Sequence, residues 1–495
     1  MSTPAVSDDA APPWTLHPDR ALPAEPGLRA IARQIHAATR DLPIVSMHGH
    51  VLAAELAADA PFPDPARLLV VPDHYLVRML VSRGETLPRL GVPALDGSAD
   101  VERDPREIWR RFCAGWRHFR GTPTRFWLEH ELVEIFGATV PPSPDTADLL
   151  YDQLVARLAE PGFRPRALLD RFGIEVLATT DPAWDTLEHH TRLAEAGYGG
   201  RVVPTFRPDP LLELGRPGWR QDVDRLAAAS GVAITGYATY LDALREQRRR
   251  FVAAGARATD HGHLLADTAP LPEAEASALV DQALRGVPVS TEQAQAFVAH
   301  MLFQMAAMST EDGLVMQLHP GSLRDHSGTV AARYGADRGY DIPVGVEFTR
   351  ALRPLLEAFG NHPRFRLVVF TMDESVYSRE LAPLAGVYPA LLLGAPWWFL
   401  DSPDGMRRFR ERVTETAGFS NTTGFVDDTR AFCSIPARHD LARRIDAGYL
   451  ARLVAEHRLP LDEAVEVAVD LAYVLPKTAY APPTHPNRRT ESAHP

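Results

Sequence analysis

Short apolar runs recur along this chain, and each ends in polar residues. Residues 43–46 lead to His48, 175–178 to Thr179-Thr180-Asp181, and 202–206 to Arg207-Pro208-Asp209. Residues 256–258 lead to Thr259-Asp260-His261-Gly262, and 314–318 to His319. Residues 365–370 run into 371–374, 390–394 into Trp397-Trp398, and 424–426 into Asp427-Asp428-Thr429-Arg430. Helical periodicity separates most of them, as over 222–229, 240–254 and 348–359. Strands alternating with helices predict a parallel sheet. Eight such units, polar at their C-terminal ends, predict an α/β fold of the (β/α)8 TIM-barrel type. The competing open, doubly wound sheet would place a Gly-rich phosphate loop after an early strand, and the sequence has none.

The spacing is uneven. The long span between the first two strands reads as helices at 78–82, 106–119, 125–136 and 147–158, so a helical insertion over about 52–172 is expected. A second insertion is expected over about 263–312, within one barrel domain spanning 28–480. Residues 1–27 read as a flexible N-terminal arm and 481–495 as a flexible tail. The uncharged run 381–400 contains Pro383, Pro389 and Pro396, and reads as a helix end followed by a buried strand rather than a membrane span.

Composition narrows the partners. Hydrophobic content of 45% and charged content of 23% are ordinary for a globular chain. A net charge of −12 argues against nucleic acid. Cys113 and Cys433 fit no metal or redox spacing, and the first residues lack a signal peptide's basic and apolar segments. A cytoplasmic protein without a membrane partner is expected; self-association into a homo-oligomer is left open. The only lysine among 52 basic residues is Lys477, near the C-terminus. A P-loop lysine, a mid-chain Schiff-base lysine and a two-metal site bridged by a carboxylated lysine are therefore excluded.

The chemistry concentrates at the expected strand ends. His48 and His50, two apart, project together from the end of the first strand. Two imidazoles beside an open position can begin a catalytic zinc site. With 19 histidines, chance supplies about one such pair, and His261-Gly-His263 is a second. In a closed barrel the last strand adjoins the first, so Asp427 or Asp428 can complete the set; either could instead cap the next helix. Arg207 can grip a carboxylate, or pair with Asp209. Asp73-His74-Tyr75 could cover the barrel mouth, or Asp73 could simply cap a helix. Trp397 and Trp398 could form an apolar wall or fill the core, with core filling the expected role, and Glu188-His189-His190 reads as a solvated helix face.

Taken together and in order, LPIVSMHGH, PFPDP with PDHYLVRML, TTDPAWDTLEHH, VVPTFRPD, ATDHG, VMQLHPGSLR, GAPWWFLDSPDGM and DDTRAF resemble the uronate isomerase (glucuronate isomerase) family of the amidohydrolase superfamily. The likeness runs from about residue 28 to 480. It implies interconversion of D-glucuronate with D-fructuronate and of D-galacturonate with D-tagaturonate. It also implies one zinc ion per chain on His48, His50 and Asp428, with His74, Tyr75, Arg207, His319, Trp397 and Arg430 around the sugar acid. The chain departs from the family pattern at Met47, Leu52-Ala53, Asp325 and Ser327, all near the expected site; these departures bear on which hydroxyl pattern is accepted.

Aldose–ketose isomerisation moves a proton from C2 to C1. Without a Schiff-base lysine, an enediol route is expected. Asp428 is the candidate base as well as a metal ligand, Tyr75 the proton donor or shuttle, and Arg430 the stabiliser of developing charge; Arg207 with His74 anchors the substrate. A mononuclear metal-dependent hydrolase and a homologue repurposed for another sugar acid are the alternatives.

Overall fold

The computed structural model describes residues 13–98 and 100–482. Expectations for 1–12 and 483–495 lie outside the described residues. Within the N-terminal arm, Trp14 N donates to Thr139 O (2.8 Å), and Arg20 bonds Asp440 (2.7 Å).

The fold is mixed α/β with parallel sheets. In chain order the strands are β1 (Ile44–Ser46), β2 (Ile174–Ala178), β3 (Asp181–Pro182), β4 (Val202–Val203), β5 (Phe206–Arg207), β6 (Ala258–His261) and β7 (Val315–Leu318). Then come β8 (Ser322–Leu323), β9 (Ile342–Pro343), β10 (Leu367–Val369) and β11 (Leu391–Leu393). One parallel sheet runs β1-β2-β4 and another β3-β5-β6-β7-β10-β11. Backbone bonds from Thr179 N to Val203 O and from Asp181 N to Thr205 O, both 3.0 Å, join them, so β2 continues into β3 and β4 into β5. Spatial neighbours are successive in the chain. This holds with β2–β3 and β4–β5 each counted as one strand and with β8 and β9 set aside; those two form a small antiparallel pair inserted between β7 and β10.

Alternation explains why these segments are strands. Val45, Val176, Val203, Ala258, Val315 and Val368 face one shared cluster, whereas their neighbours Ile44, Leu177, Val202, Met316 and Leu367 pack outward against helices. Both faces are buried, which parallel sheets require.

Among the described residues, every regular element between β1 and β2 is helical. Three of these helices start with a side-chain cap followed by proline: Asp64-Pro65, Asp104-Pro105 and Thr122-Pro123. The cap accepts an otherwise orphan N–H, and proline lacks one. Between β6 and β7, Thr291–Asp312 begins with a reciprocal Ser290–Gln293 capping box and ends at Gly313, whose φ is 79°.

Some sequence expectations move. The strand expected at 256–258 forms at 258–261, through polar residues. The helix expected over 348–359 spans only Arg353–Phe359, because Pro354 suits a first turn. The strand expected at 424–426 is replaced by one bridge, Leu393 to Thr422. His190 of the expected solvated face is buried, its Nε2 2.9 Å from Thr179 Oγ1. No helix among the described residues is long and apolar enough to cross a membrane.

One buried acid of the helical span makes stability depend on pH. Burial pushes Glu131 up to about 8; Asp73 adds to this and Arg438 opposes it. Above the ordinary glutamate value the unfolded chain ionises first, so the native state binds more protons and stability falls as pH rises towards 8. Glu131→Gln is therefore expected to gain stability over wild type by up to ~1.4 kcal/mol per pH unit through that window, levelling off above it. Thermal melts at several pH values check this; parallel profiles for the two proteins would refute it.

Candidate active site

A cavity of about 310 Å³ opens at the C-terminal ends of the strands, and all nine site residues expected from the sequence line it. His48, just past β1, is buried with its ring 4.9 Å from that of Phe370. Its Nδ1 lies 3.1 Å from Gln317 Oε1, while its Nε2 is buried without a partner. Gln317 thus fixes the ring and leaves Nε2 available, the arrangement expected of a metal-ligating imidazole. His50 Nε2 lies 3.0 Å from Asp428 Oδ1, and donor atoms of His48, His50 and Asp428 all fall within 4.8 Å of one another. Two imidazoles and a carboxylate are a donor set suited to a divalent transition metal.

The structure separates the two adjacent aspartates. Asp427 is fully buried and accepts from Ser46 Oγ (3.1 Å), with His439 Nε2 at 2.8 Å. It ties the segment after β11 to β1. Asp428 faces the cavity and accepts from Trp397 Nε1. Burial raises its pKa, but the hydrogen bond from His50 and the charges of His48 and His319 outweigh that and hold it well below the ordinary carboxylate range. Trp397 and Trp398 both line the cavity, so they do more than fill the core.

Asp73 caps the helix His74–Ser82, accepting from Tyr75 N (2.8 Å) and Leu76 N (3.3 Å). That cap sets the next two side chains at the cavity, their rings stacked 4.6 Å apart. Burial, with Arg430 nearby, pushes His74 down to about 3, so it is neutral. Burial keeps the Tyr75 phenol protonated far above its ordinary value.

Arg207 leaves β5 between two carboxylates: Nε lies 3.0 Å from Asp209 Oδ2 and Nη1 3.3 Å from Asp260 Oδ2. His319 Nε2 sits 2.6 Å from Asp260 Oδ1. Despite its burial, Asp260 is held strongly acidic by His319 and Arg207. Arg430 is about one-third exposed, with Nη2 3.4 Å from Asp337 Oδ2.

Sequence reasoning missed Asp337, Arg324 and Arg438 as cavity residues. Arg438 lies far along the chain on helix Ile435–Ala455, with its guanidinium 3.7 Å from the Trp127 ring centroid and 5.6 Å from that of Tyr75. Residues 437–440, which contain it, follow no apolar run and so carry no strand-end signal. Among the departures, Met47 is wholly buried, Leu52 is exposed, and Ser327 caps the helix Gly328–Tyr334. Asp325 alone lines the cavity, at a φ of 51°.

Gly262 lies where a side chain would collide. A Cβ there would sit 2.6 Å from His319 Cε1 and 2.7 Å from Arg207 Nη2. Gly262→Ala must displace one of them, and a shift of about 1 Å can cost on the order of 10²-fold in rate. We expect kcat/KM to fall by ~10–10²-fold with a normal circular dichroism spectrum; unchanged kinetics would show that neither side chain needs its present place.

The profile of the glucuronate isomerase family matches residues 29–480. The chain belongs to this family. It is 54% identical to the uronate isomerase of Rhizobium meliloti (strain 1021), over 94% of this chain and 99% of that one. It is 53% identical to that of Phenylobacterium zucineum (strain HLK1), over 94% and 97%. The crystal structure of glucuronate isomerase from Caulobacter crescentus superposes with a TM-score of 0.93 at 49% identity, covering 96% and 98% of the two chains. That of uronate isomerase from Thermotoga maritima gives 0.87 at 27% identity, covering 94% and 100%. Membership makes the chain an isomerase, and the hydrolase alternative has no support.

Proposed function

We propose that this isomerase interconverts an aldose uronate and its ketose, D-glucuronate with D-fructuronate and D-galacturonate with D-tagaturonate, by an enediol route. The observation that carries the reading is convergence. One cavity, near the lower end of the ~300–1,000 Å³ common for small-molecule sites, joins the His48–His50–Asp428 set to the protonated phenol of Tyr75 and the guanidinium groups of Arg207 and Arg430.

The scaffold we infer is one (β/α)8 barrel over 28–480, with insertions at 52–172 and 263–312. Cross-sheet contact supports closure. In a flat sheet, four strand spacings of ~4.8 Å would hold β1 about 19 Å from β7, yet His48 Nδ1 reaches Gln317 on β7 at 3.1 Å. The eighth position falls to the segment after β11: Thr423 N donates to Leu393 O on one side, and His50 N to Thr429 O on the other, both at 2.9 Å.

His48, His50 and Asp428 would hold one divalent ion, zinc by its donor set. When bound, such an ion orients the open-chain sugar or polarises one of its oxygens. The chain's own groups move the protons. Asp428, ionised, takes the proton from C2. Tyr75 gives its phenolic proton to the carbonyl oxygen at C1, which completes the enediol. Loss of the O2 proton and return of a proton to C1 then give the ketose. Arg430 stabilises negative charge on the sugar oxygens. Arg207, with neutral His74 as a hydrogen-bonding neighbour, anchors the remaining polar groups. Neither nucleic acid nor membrane has a part, and a cytoplasmic setting suits the reaction.

Incubation of the pure protein with each uronate should yield the matching ketose, and deuterium at C2 should be lost at least partly to solvent. Absence of ketose from both, with folded and metal-loaded protein, would refute the reading and favour another sugar acid.

A further inference from the structure

The second His-x-His of the sequence, His261-Gly-His263, takes no part in the chemistry above, yet it too is assembled with a carboxylate. We propose that Asp209, His261 and His263 form a second divalent-cation site of zinc class, separate from the one at His48, His50 and Asp428. The expected single ion then describes the active site and not the whole chain. The proposal does not depend on the uronate reading.

Three donor atoms converge. His261 Nδ1, His263 Nε2 and Asp209 Oδ1 are all buried and all lack a hydrogen bond. All three side chains belong to residues at most 9% exposed. Asp209 Oδ1 lies 3.3 Å from His263 Nε2 and 3.9 Å from His261 Nδ1, and the three atoms fall within 4.8 Å of one another. Tetrahedral ligands at ~2.0–2.1 Å from zinc stand ~3.4 Å apart, so these spacings need little adjustment.

The outer atoms of the same side chains are all engaged. His261 Nε2 lies 3.0 Å from Thr259 Oγ1, and His263 Nδ1 lies 3.3 Å from Glu213 Oε1. Asp209 Oδ2 accepts from Arg207 Nε at 3.0 Å and from Gly262 N at 2.9 Å. Each ring is thus fixed through one nitrogen with the other turned inward, and the carboxylate is fixed through one oxygen with the other turned inward. Metal sites are supported in this way. Burial pushes His261 down to about 3, so it is neutral with a lone pair to give.

The rival occupant is a proton on His263, which lies between Asp209 and Glu213. A proton can satisfy the His263–Asp209 pair, but it leaves His261 Nδ1 buried and unpaired. A cation takes all three lone pairs. His263 and Glu213 also line a separate cavity of about 650 Å³, which offers an entry route. Because Asp209 holds Arg207 through its other oxygen, the ion would act as a brace for that arginine.

The test is zinc stoichiometry. Apoprotein prepared with chelator is dialysed against Zn²⁺, and bound metal is measured by elemental analysis with circular dichroism as a folding control. We expect about two ions per wild-type chain, about one for the double variant His48→Ala/His50→Ala, and about none when His263→Ala or His261→Asn is added. About one ion in wild type and none in the double variant would overturn the proposal and leave the active-site ion intact. About one in both would sustain the proposal and remove the active-site ion instead. The double variant keeps Asp209, His261 and His263 intact, so it decides the matter even if the triple variants fail to fold.

Discussion

Asp428→Asn is expected to lower turnover by ~10²–10⁴-fold, the usual contribution of a positioned general base, and to lose the ion held with His48 and His50. In the proposed role the carboxylate combines two demands. It must stay ionised to bind a cation and accept a proton, and it must do so in a buried setting that favours the neutral acid. His50 at 3.0 Å, with His48 and His319 nearby, resolves this in favour of the anion. Asparagine keeps the shape and an oxygen for Trp397 Nε1, so the cavity wall should survive while charge and basicity go. Ketose formation, elemental analysis and circular dichroism measured on one preparation separate these effects. A variant with normal turnover and unchanged metal content would remove Asp428 from both roles. Normal metal with depressed turnover would leave only the proton transfer to it.

What the sequence shows and hides follows from what each signal measures. Apolar runs report burial, and they locate β1, β2, β7, β10 and β11 to within two residues. They do not report hydrogen bonding. β6 runs on through Thr259, Asp260 and His261 because β5 and β7 supply the ladder on either side, while Asp260 holds His319 and Arg207 of the site. Residues 424–426 are apolar and buried, but Phe425 N donates to Leu471 O instead of to a strand. His48, His50, Arg207 and His319 were legible because they end or follow apolar runs, and the cavity opens at the C-terminal ends of the parallel strands. The choice between Asp427 and Asp428 was not, since adjacent residues of one type differ only in the direction they face. Arg438 and Asp337 were hidden for another reason. They come from a distant helix and a loop, and only the assembled chain brings them to the cavity.

Arg430→Met is expected to reduce kcat by ~10²–10³-fold, the scale measured when one donor to a developing oxyanion is removed, with little loss of stability. Its guanidinium is about one-third exposed and its ion pair with Asp337 is long, at 3.4 Å. Pairs of that kind contribute ~0–1 kcal/mol to folding, so the melting temperature should barely move. Methionine keeps the length and much of the apolar stem, which preserves packing while removing charge and donors. The effect belongs in kcat and not in KM if Arg430 acts on charge that develops only as the enediolate forms. Arg430→Lys sharpens the test. It restores the charge but not the planar fork, and should recover part of the rate. A methionine variant with near-normal kcat would assign charge stabilisation to another group. One that loses stability as well as rate would make Arg430 a structural partner of Asp337.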